Sequence, residues 1–329
     1  MVTVKAWCRV DLAGGTLDIW PLGLFHPQAR TVNVAVDLAV TVQLRPAERG
    51  GYRVLQSESL AEAASAEELA RNPDASLIGV IASALDLPPF EAVLASESPR
   101  GGGLGGSSAM TVAFLTAAEE AFDRPRSEPH QRVALARDLE ARLMGLPTGI
   151  QDHYPALLGG ALEIRPLPGG ERVRRLAVDL DALAASLLIV YSGQSHFSAG
   201  NNWQVVRRRL EGEPETTELF EGIAATAAEL APALEAGELA RVGELMAQEW
   251  SYRRRLADGI STPVLEELLR AAADHGAWGG KACGAGGGGC LAILCPPDRR
   301  NAVAAALERA GGLILRAIPT GRPLEIAVT

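Results

Sequence analysis

Nowhere in the chain does an uninterrupted apolar run approach the ~18–20 residues that a membrane-crossing helix needs. Met1 to Val10 carries one lysine and one arginine inside a strand-like alternation, without the basic and apolar regions of a secretion signal. These two absences predict a cytoplasmic protein with no membrane partner. The four cysteines, Cys8, Cys283, Cys290 and Cys295, lack CxxC spacing, which argues against a zinc knuckle or a thioredoxin-type pair and leaves buried free thiols. A basic excess is missing as well: 31 Lys and Arg stand against 40 Asp and Glu, for a net charge of −9. So acidic a chain is a poor partner for nucleic acid or an anionic surface.

The chain is rich in apolar residues (47%) and glycine (35 residues), the glycines clustered. That apolar share offsets chain entropy, so a folded protein is expected. At ~100–200 residues per domain, 329 residues predict two domains. Val2 to Arg9, Thr31 to Leu44, Phe90 to Ser96 and Leu291 to Cys295 read as strands. Ser65 to Glu68 reads as a capping box, and Thr262 before Pro263 as a helix start. Helix and strand alternate without a regular βαβ rhythm, so the expected class is α+β. The turn-rich Pro166 to Gly170 marks a domain edge, giving units 1–170 and 171–329.

A strand runs directly into Pro99–Arg100–Gly101–Gly102–Gly103–Leu104–Gly105–Gly106–Ser107–Ser108, and an apolar helix follows. Strand, glycine run and helix start together make an anion cradle, because unpaired N–H groups and the helix dipole favour a phosphate. Gly101, Gly103 and Gly106 fit GxGxxG, but the second strand ending in an acidic residue that a dinucleotide fold needs is missing. A Walker loop fails too, since Ser107 stands where lysine belongs. Five glycines in six positions exceed what an ordinary capped turn requires, and a serine at the helix start can meet Mg²⁺ on a nucleotide. A second constellation is Glu140 with Thr148–Gly149–Ile150–Gln151–Asp152–His153–Tyr154, where an acid after a glycine turn is a candidate base or charge stabiliser. A third, Lys281 to Gly289, holds five glycines that admit close backbone approach to a ligand.

These stretches, with Arg9–Val10–Asp11–Leu12–Ala13–Gly14–Gly15–Thr16–Leu17–Asp18 ahead of them, resemble in order and spacing the motifs of the GHMP kinases. Within that family the Gly–Gly–Thr–Leu–Asp opening and the Gln–Asp–His–Tyr segment look most like bacterial heptose phosphate kinases and fucose-type sugar kinases. The resemblance implies an N-terminal ribosomal-S5-like domain and a C-terminal ferredoxin-like domain, with ATP and substrate between them. It implies Asp152 as the catalytic aspartate, Arg9 as the cation beside the reacting oxygen, and Pro99 to Ser108 as the ATP loop. Ser107 and Glu140 are the implied Mg²⁺ ligands, Ser107 rather than Ser108 falling at the metal-binding hydroxyl.

For the substrate, Thr16, Asp18, His153, Tyr154, Ser195 and His196 offer the hydrogen-bonding groups a sugar demands, with Gly286 and Gly287 beside them. The expected activity is transfer of the γ-phosphate of MgATP to a hydroxyl of a sugar or sugar phosphate. A mevalonate-type kinase, with more apolar lining near Asp18, and a non-catalytic sugar or nucleotide binder are the alternatives. Of the triplets Arg207 to Arg209 and Arg253 to Arg255, only one or two side chains can face a site, because successive helical residues point in different directions. A monomer or homodimer is expected.

Overall fold

The computed structural model describes residues 1–195 and 199–329, and no side chain of residues 199–202. In the first half, strands β1 (Val2–Ala13), β2 (Thr31–Pro46), β3 (Tyr52–Gln56) and β4 (Ser59–Ala63) precede helices α1 (Ala66–Arg71) and α2 (Ser76–Ala84). Then come β5 (Phe90–Ser96), α3 (Gly106–Ala121), α4 (Pro129–Met144), α5 (His153–Leu158), and the hairpin β6 (Ala161–Leu167) and β7 (Gly170–Arg175). The second half holds α6 (Leu180–Ser186), β8 (Leu187–Tyr191), α7 (Ala199–Leu210), α8 (Pro214–Glu235), α9 (Leu239–Arg253) and α10 (Pro263–Asp274). It ends with β9 (Gly279–Ala282), β10 (Cys290–Leu294), α11 (Arg300–Arg309), β11 (Leu313–Ile314) and β12 (Glu325–Val328).

The larger sheet runs β12-β1-β2-β5-β3-β4, with β6 also paired to β2 and β7 to β6. The alternating Val residues of β1 and β2, from Val4 to Val42, bury one face against α3, whose Ala-rich middle is buried nearly all round. The smaller sheet, β11-β8-β10-β9, is antiparallel throughout. It carries a second core of Leu188, Val190, Leu291 and Ile293 with residues of α7 to α11. Leu17, Ile19 and Leu22, from the segment after β1, pack into that second core, so the first glycine turn is anchored on both sides.

Ser65 accepts a hydrogen bond from the Glu68 N–H and Glu68 from the Ala64 N–H, and Thr262 caps α10 through the Leu265 N–H. The expected edge at Pro166 to Gly170 is instead a hairpin turn: Leu167 pairs with Gly170 and Leu162 with Arg175 inside one sheet. Dividing the chain into 1–170 and 171–329 would cut that hairpin, and it would also separate β12 from β1, to which it returns. The proline and glycine pattern is the same for a hairpin and a linker, so it does not distinguish them.

Candidate active site

One cleft gathers Arg9, Thr16, Asp18, Gly103, Glu140 and Asp152. Arg9 follows a bulge in the pairing of β1 with β2 between Trp7 and Cys8, an irregularity of the kind that re-aims side chains. Its backbone N–H donates to Leu104 O at 2.9 Å. Its guanidinium donates to Gly103 O and to Asp152 Oδ1, through Nε at 2.9 Å and Nη2 at 2.7 Å. Arg9 is 2% exposed and Asp152 24%, so the cation is buried under the loop while the carboxylate reaches the opening.

The glycine loop arches over this pair. Gly105, at φ 73°, caps α3 with no side-chain bond to the first turn. A Cβ on Gly105 would sit 3.1 Å from Asp152 Cβ, and one on Gly103 would sit 2.6 Å from Cys283 O. The third glycine stretch thus lies backbone against backbone on the arch, an approach that side chains would prevent. Beneath it, burial pushes the Cys8 thiol up to about 12 and the Cys283 thiol up to about 11, so neither is a nucleophile at neutral pH. A cavity of about 710 Å³ follows the arch from Pro99 to Ser107 and also reaches Asp152.

Glu140, on α4, accepts from Thr111 Oγ1 at 2.8 Å and Ser108 Oγ at 3.0 Å, and faces His153 Nε2 at 3.4 Å. Burial works against its charge, but the His153 imidazolium and these donors outweigh it and hold the carboxyl below its ordinary value. The serine that meets Glu140 is therefore Ser108. Ser107, one position earlier and about 100° round the helix, is exposed on the cleft wall.

Other expected contacts are redirected. His153 is buried and faces Glu140 as an ion-pair partner, so it supports that acid from behind instead of touching a substrate. Tyr154 is buried too, its hydroxyl bonded to Glu171 away from the cleft. Both follow Asp152 on α5, where each residue turns the side chain to a new side. Gly286 lies along the arch cavity instead of the Thr16 side, and the Gly287 N–H is already donated to Ile260 O. Ser195 is exposed and does not line the cleft, and His196 lies outside the described residues.

Thr16 and Asp18 do line the cleft. Asp18 Oδ2 accepts the N–H groups of Ile150 at 2.6 Å and Gln151 at 2.9 Å, while Oδ1 is buried without a partner among the described residues. Burial raises the Asp18 carboxyl above its ordinary value despite those donors. A Cβ on Gly149 would fall 1.9 Å from Asp18 Oδ2, so this joint requires glycine. Asp18, Ile19, Pro147 and Thr148 also line a larger, mainly apolar cavity of about 880 Å³ with Leu17, Trp20 and Trp203.

Sequence reasoning missed a buried cluster behind the first glycine turn. Lys281 Nζ donates to Asp11 Oδ2 at 2.6 Å and lies 3.4 Å from Glu249 Oε1, all three fully buried. Glu249 also pairs with Arg253, which reaches Thr16 and Gly15. Burial would raise Asp11, but Lys281, Arg253 and Arg9 outweigh it and lower its carboxyl. Its faint sequence signals were the second arginine triplet, of which Arg253 alone turns inward, and the lysine opening the third glycine stretch.

Residues 68–160 match the family model described as GHMP kinases N terminal domain, and residues 230–313 that of GHMP kinases C terminal. A Pyrococcus abyssi mevalonate kinase is 32% identical over 70% of this chain and 68% of its own length. The chain belongs to the GHMP kinases. A D-glycero-alpha-D-manno-heptose 7-phosphate kinase from Campylobacter jejuni is 26% identical over 67% of this chain. That match spans 65% of the Campylobacter protein, just under two thirds of its length. A Bacteroides thetaiotaomicron D-glycero-D-manno-heptose 1-phosphate kinase structure superposes with a TM-score of 0.79, at 22% identity, covering 100% of this chain and 99% of that one. Its likeness shows the two-domain, mixed α and β fold of the GHMP kinases. No helix among the described residues is long and apolar enough to cross a membrane.

Proposed function

We propose that this GHMP kinase transfers the γ-phosphoryl group of ATP to a hydroxyl of a sugar or sugar phosphate, with Asp152 taking the hydroxyl proton. The observation that carries the reading is the Arg9 clamp: one buried guanidinium ties Asp152 Oδ1 to the carbonyl of Gly103 in the arch. Phosphoryl transfer needs alignment and charge stabilisation more than covalent help. The arch, with the uncapped N–H groups at the start of α3, suits the phosphates of ATP. The attacking hydroxyl oxygen forms the new P–O bond, ADP leaves with the old bridging oxygen, and the proton passes to Asp152. Arg9 holds the Asp152 carboxylate in place through two donors and faces the developing charge.

Among the described residues no three or more His, Cys, Asp or Glu form a metal cage. One buried carboxylate, Glu140, already bonded by hydroxyls, suits a Mg²⁺ that arrives on phosphates and keeps other oxygen ligands. Glu140 with Ser108 or the exposed Ser107 would hold it, and the ion would supply neutralisation of charge on the phosphate oxygens. His153 orients Glu140 from behind.

Polar lining supports a sugar: Thr16, Asp18, Thr148 and Gln151 join Arg9 and Asp152 around the cleft. A mevalonate-type acceptor is the second reading, favoured by the apolar cavity that opens beside Asp18. An ATP-consumption screen over hexoses, deoxyhexoses, uronic acids, heptose 7-phosphates and mevalonate separates them. Turnover with a sugar supports the first reading, turnover with mevalonate alone replaces it with the second, and ATP binding with no turnover leaves a binding protein.

A further inference from the structure

Thr16 stands at φ 75°, in the left-handed region that a β-branched residue enters only under strain. It is held there from the far half of the chain. Arg253 Nη1 donates to Thr16 Oγ1 at 3.0 Å, and Nη2 donates to Gly15 O at 2.7 Å. Glu249, one turn earlier on α9, locks the same guanidinium, accepting from Nε at 3.0 Å and 3.2 Å. Arg253 is 1% exposed, so the clamp is shielded from water and from competing ions.

The chemistry of this contact has a direction. A guanidinium has donors and no acceptor, so in the Arg253–Thr16 bond the hydroxyl oxygen accepts. The one hydroxyl hydrogen is then left to point elsewhere. Among the described residues the Thr16 hydroxyl makes no second hydrogen bond to the protein, and Thr16 lines the cleft beside Asp18 and Asp152.

We infer that Arg253 is a positioning residue for the phosphoryl acceptor: it fixes the polarity of the Thr16 hydroxyl so that Thr16 donates to the bound acceptor molecule. The acceptor then presents a lone pair at that point, from a hydroxyl, ring, carboxylate or phosphate oxygen. Asp18 Oδ1, an acceptor with no partner among the described residues, supplies the opposite polarity on the same wall. Donor and acceptor side by side suit the alternating donors and acceptors of a polyol. This inference rests on the kinase reading above, because it concerns the molecule that receives the phosphoryl group.

The test uses the full chain and whichever acceptor of the screen above it phosphorylates. Steady-state constants are measured for Thr16→Val, Thr16→Ser, Arg253→Lys and the Thr16→Val/Arg253→Lys double variant. Thr16→Val keeps shape and branching but removes the donor, and it should raise the KM of the acceptor about fivefold to tenfold with the KM of ATP unchanged. Thr16→Ser should stay near wild type. Arg253→Lys keeps the charge but not the fork, and should raise the same KM. The double variant should be no worse than Arg253→Lys alone, because the two residues act as one unit. An unchanged acceptor KM in Thr16→Val, or effects that multiply independently in the double variant, would overturn the inference while leaving the kinase reading in place. If Arg253→Lys does not fold, an unchanged acceptor KM in Thr16→Val still overturns the inference. A wild type that phosphorylates no acceptor of the screen above removes the kinase reading and this inference together.

Discussion

The two walls of the cleft are made of different material. The arch from Gly101 to Gly106 is almost all main chain, packed on the backbone of Cys283, Gly284 and Gly289. The opposite wall, Gly14 to Asp18, is a strained turn held by buried charge: Asp11, Lys281, Glu249 and Arg253 lie directly behind it. A wall of N–H groups suits phosphate, which every nucleotide carries alike. A wall of fixed side chains suits a molecule whose hydroxyl pattern must be told from others. The difference predicts that added bulk harms the first wall and lost charge the second.

The sharpest break should come from Lys281→Met. It strips the partner from Asp11 in a fully buried pair, and removing one member of such a pair costs about 3–5 kcal/mol. Urea denaturation checks this, and a loss under ~1 kcal/mol would mean that water reaches the cluster and the second wall is not built as described. Next in size, Asp152→Asn should lower turnover on the order of 10²-fold or more while nucleotide affinity stays close to wild type. Turnover near normal would remove Asp152 as base and leave it, at most, an anchor for Arg9.

The same division explains which parts of the site could be read in advance. The glycine run of the arch stands out by itself, whereas Glu140 and Asp152 stand out only through the resemblance to the GHMP kinase motifs, since either acid alone would more often be surface charge. The second wall is made by pairs far apart in the chain, Asp11 with Lys281 and Thr16 with Arg253. No local pattern announces which buried arginine of a triplet turns inward. His153 and Tyr154 neighbour Asp152 in sequence, but helix α5 rotates one behind Glu140 and the other toward Glu171. The strand Phe90–Ser96 falls where expected, its Phe90, Ala92 and Leu94 turned inward. The hairpin at residues 166–170 did not, because turn chemistry does not reveal which strands a turn joins.

Gly103→Ala probes the first wall. At φ +70° and with Cys283 O only 2.6 Å from the new methyl, the arch has to shift. Strain of this kind costs about 1–3 kcal/mol. The expected result is weaker nucleotide binding in a direct titration, with the acceptor KM little changed. An equal loss on both sides would show that the walls move as one body.

The smallest effect, and the most discriminating, belongs to Asp18. Burial raises its carboxyl, so in the folded protein the charged form is disfavoured relative to the unfolded chain. That penalty is present in full above the raised folded value and disappears as pH falls through it and below the ordinary value of 3.8. Asp18→Asn keeps an oxygen for the N–H groups of Ile150 and Gln151 but carries no charge. It should therefore be at least as stable as wild type at pH 7, with the advantage closing on acidification, as thermal melts across that range would report. If Asp18 nonetheless holds acceptor hydroxyls, the same variant should bind the acceptor less tightly while melting no lower. A buried acid kept at a cost to stability, and needed for binding, is one retained for the ligand. An Asp18→Asn variant that melts well below wild type at pH 7 would instead make Asp18 a brace for the Thr148 to Asp152 turn.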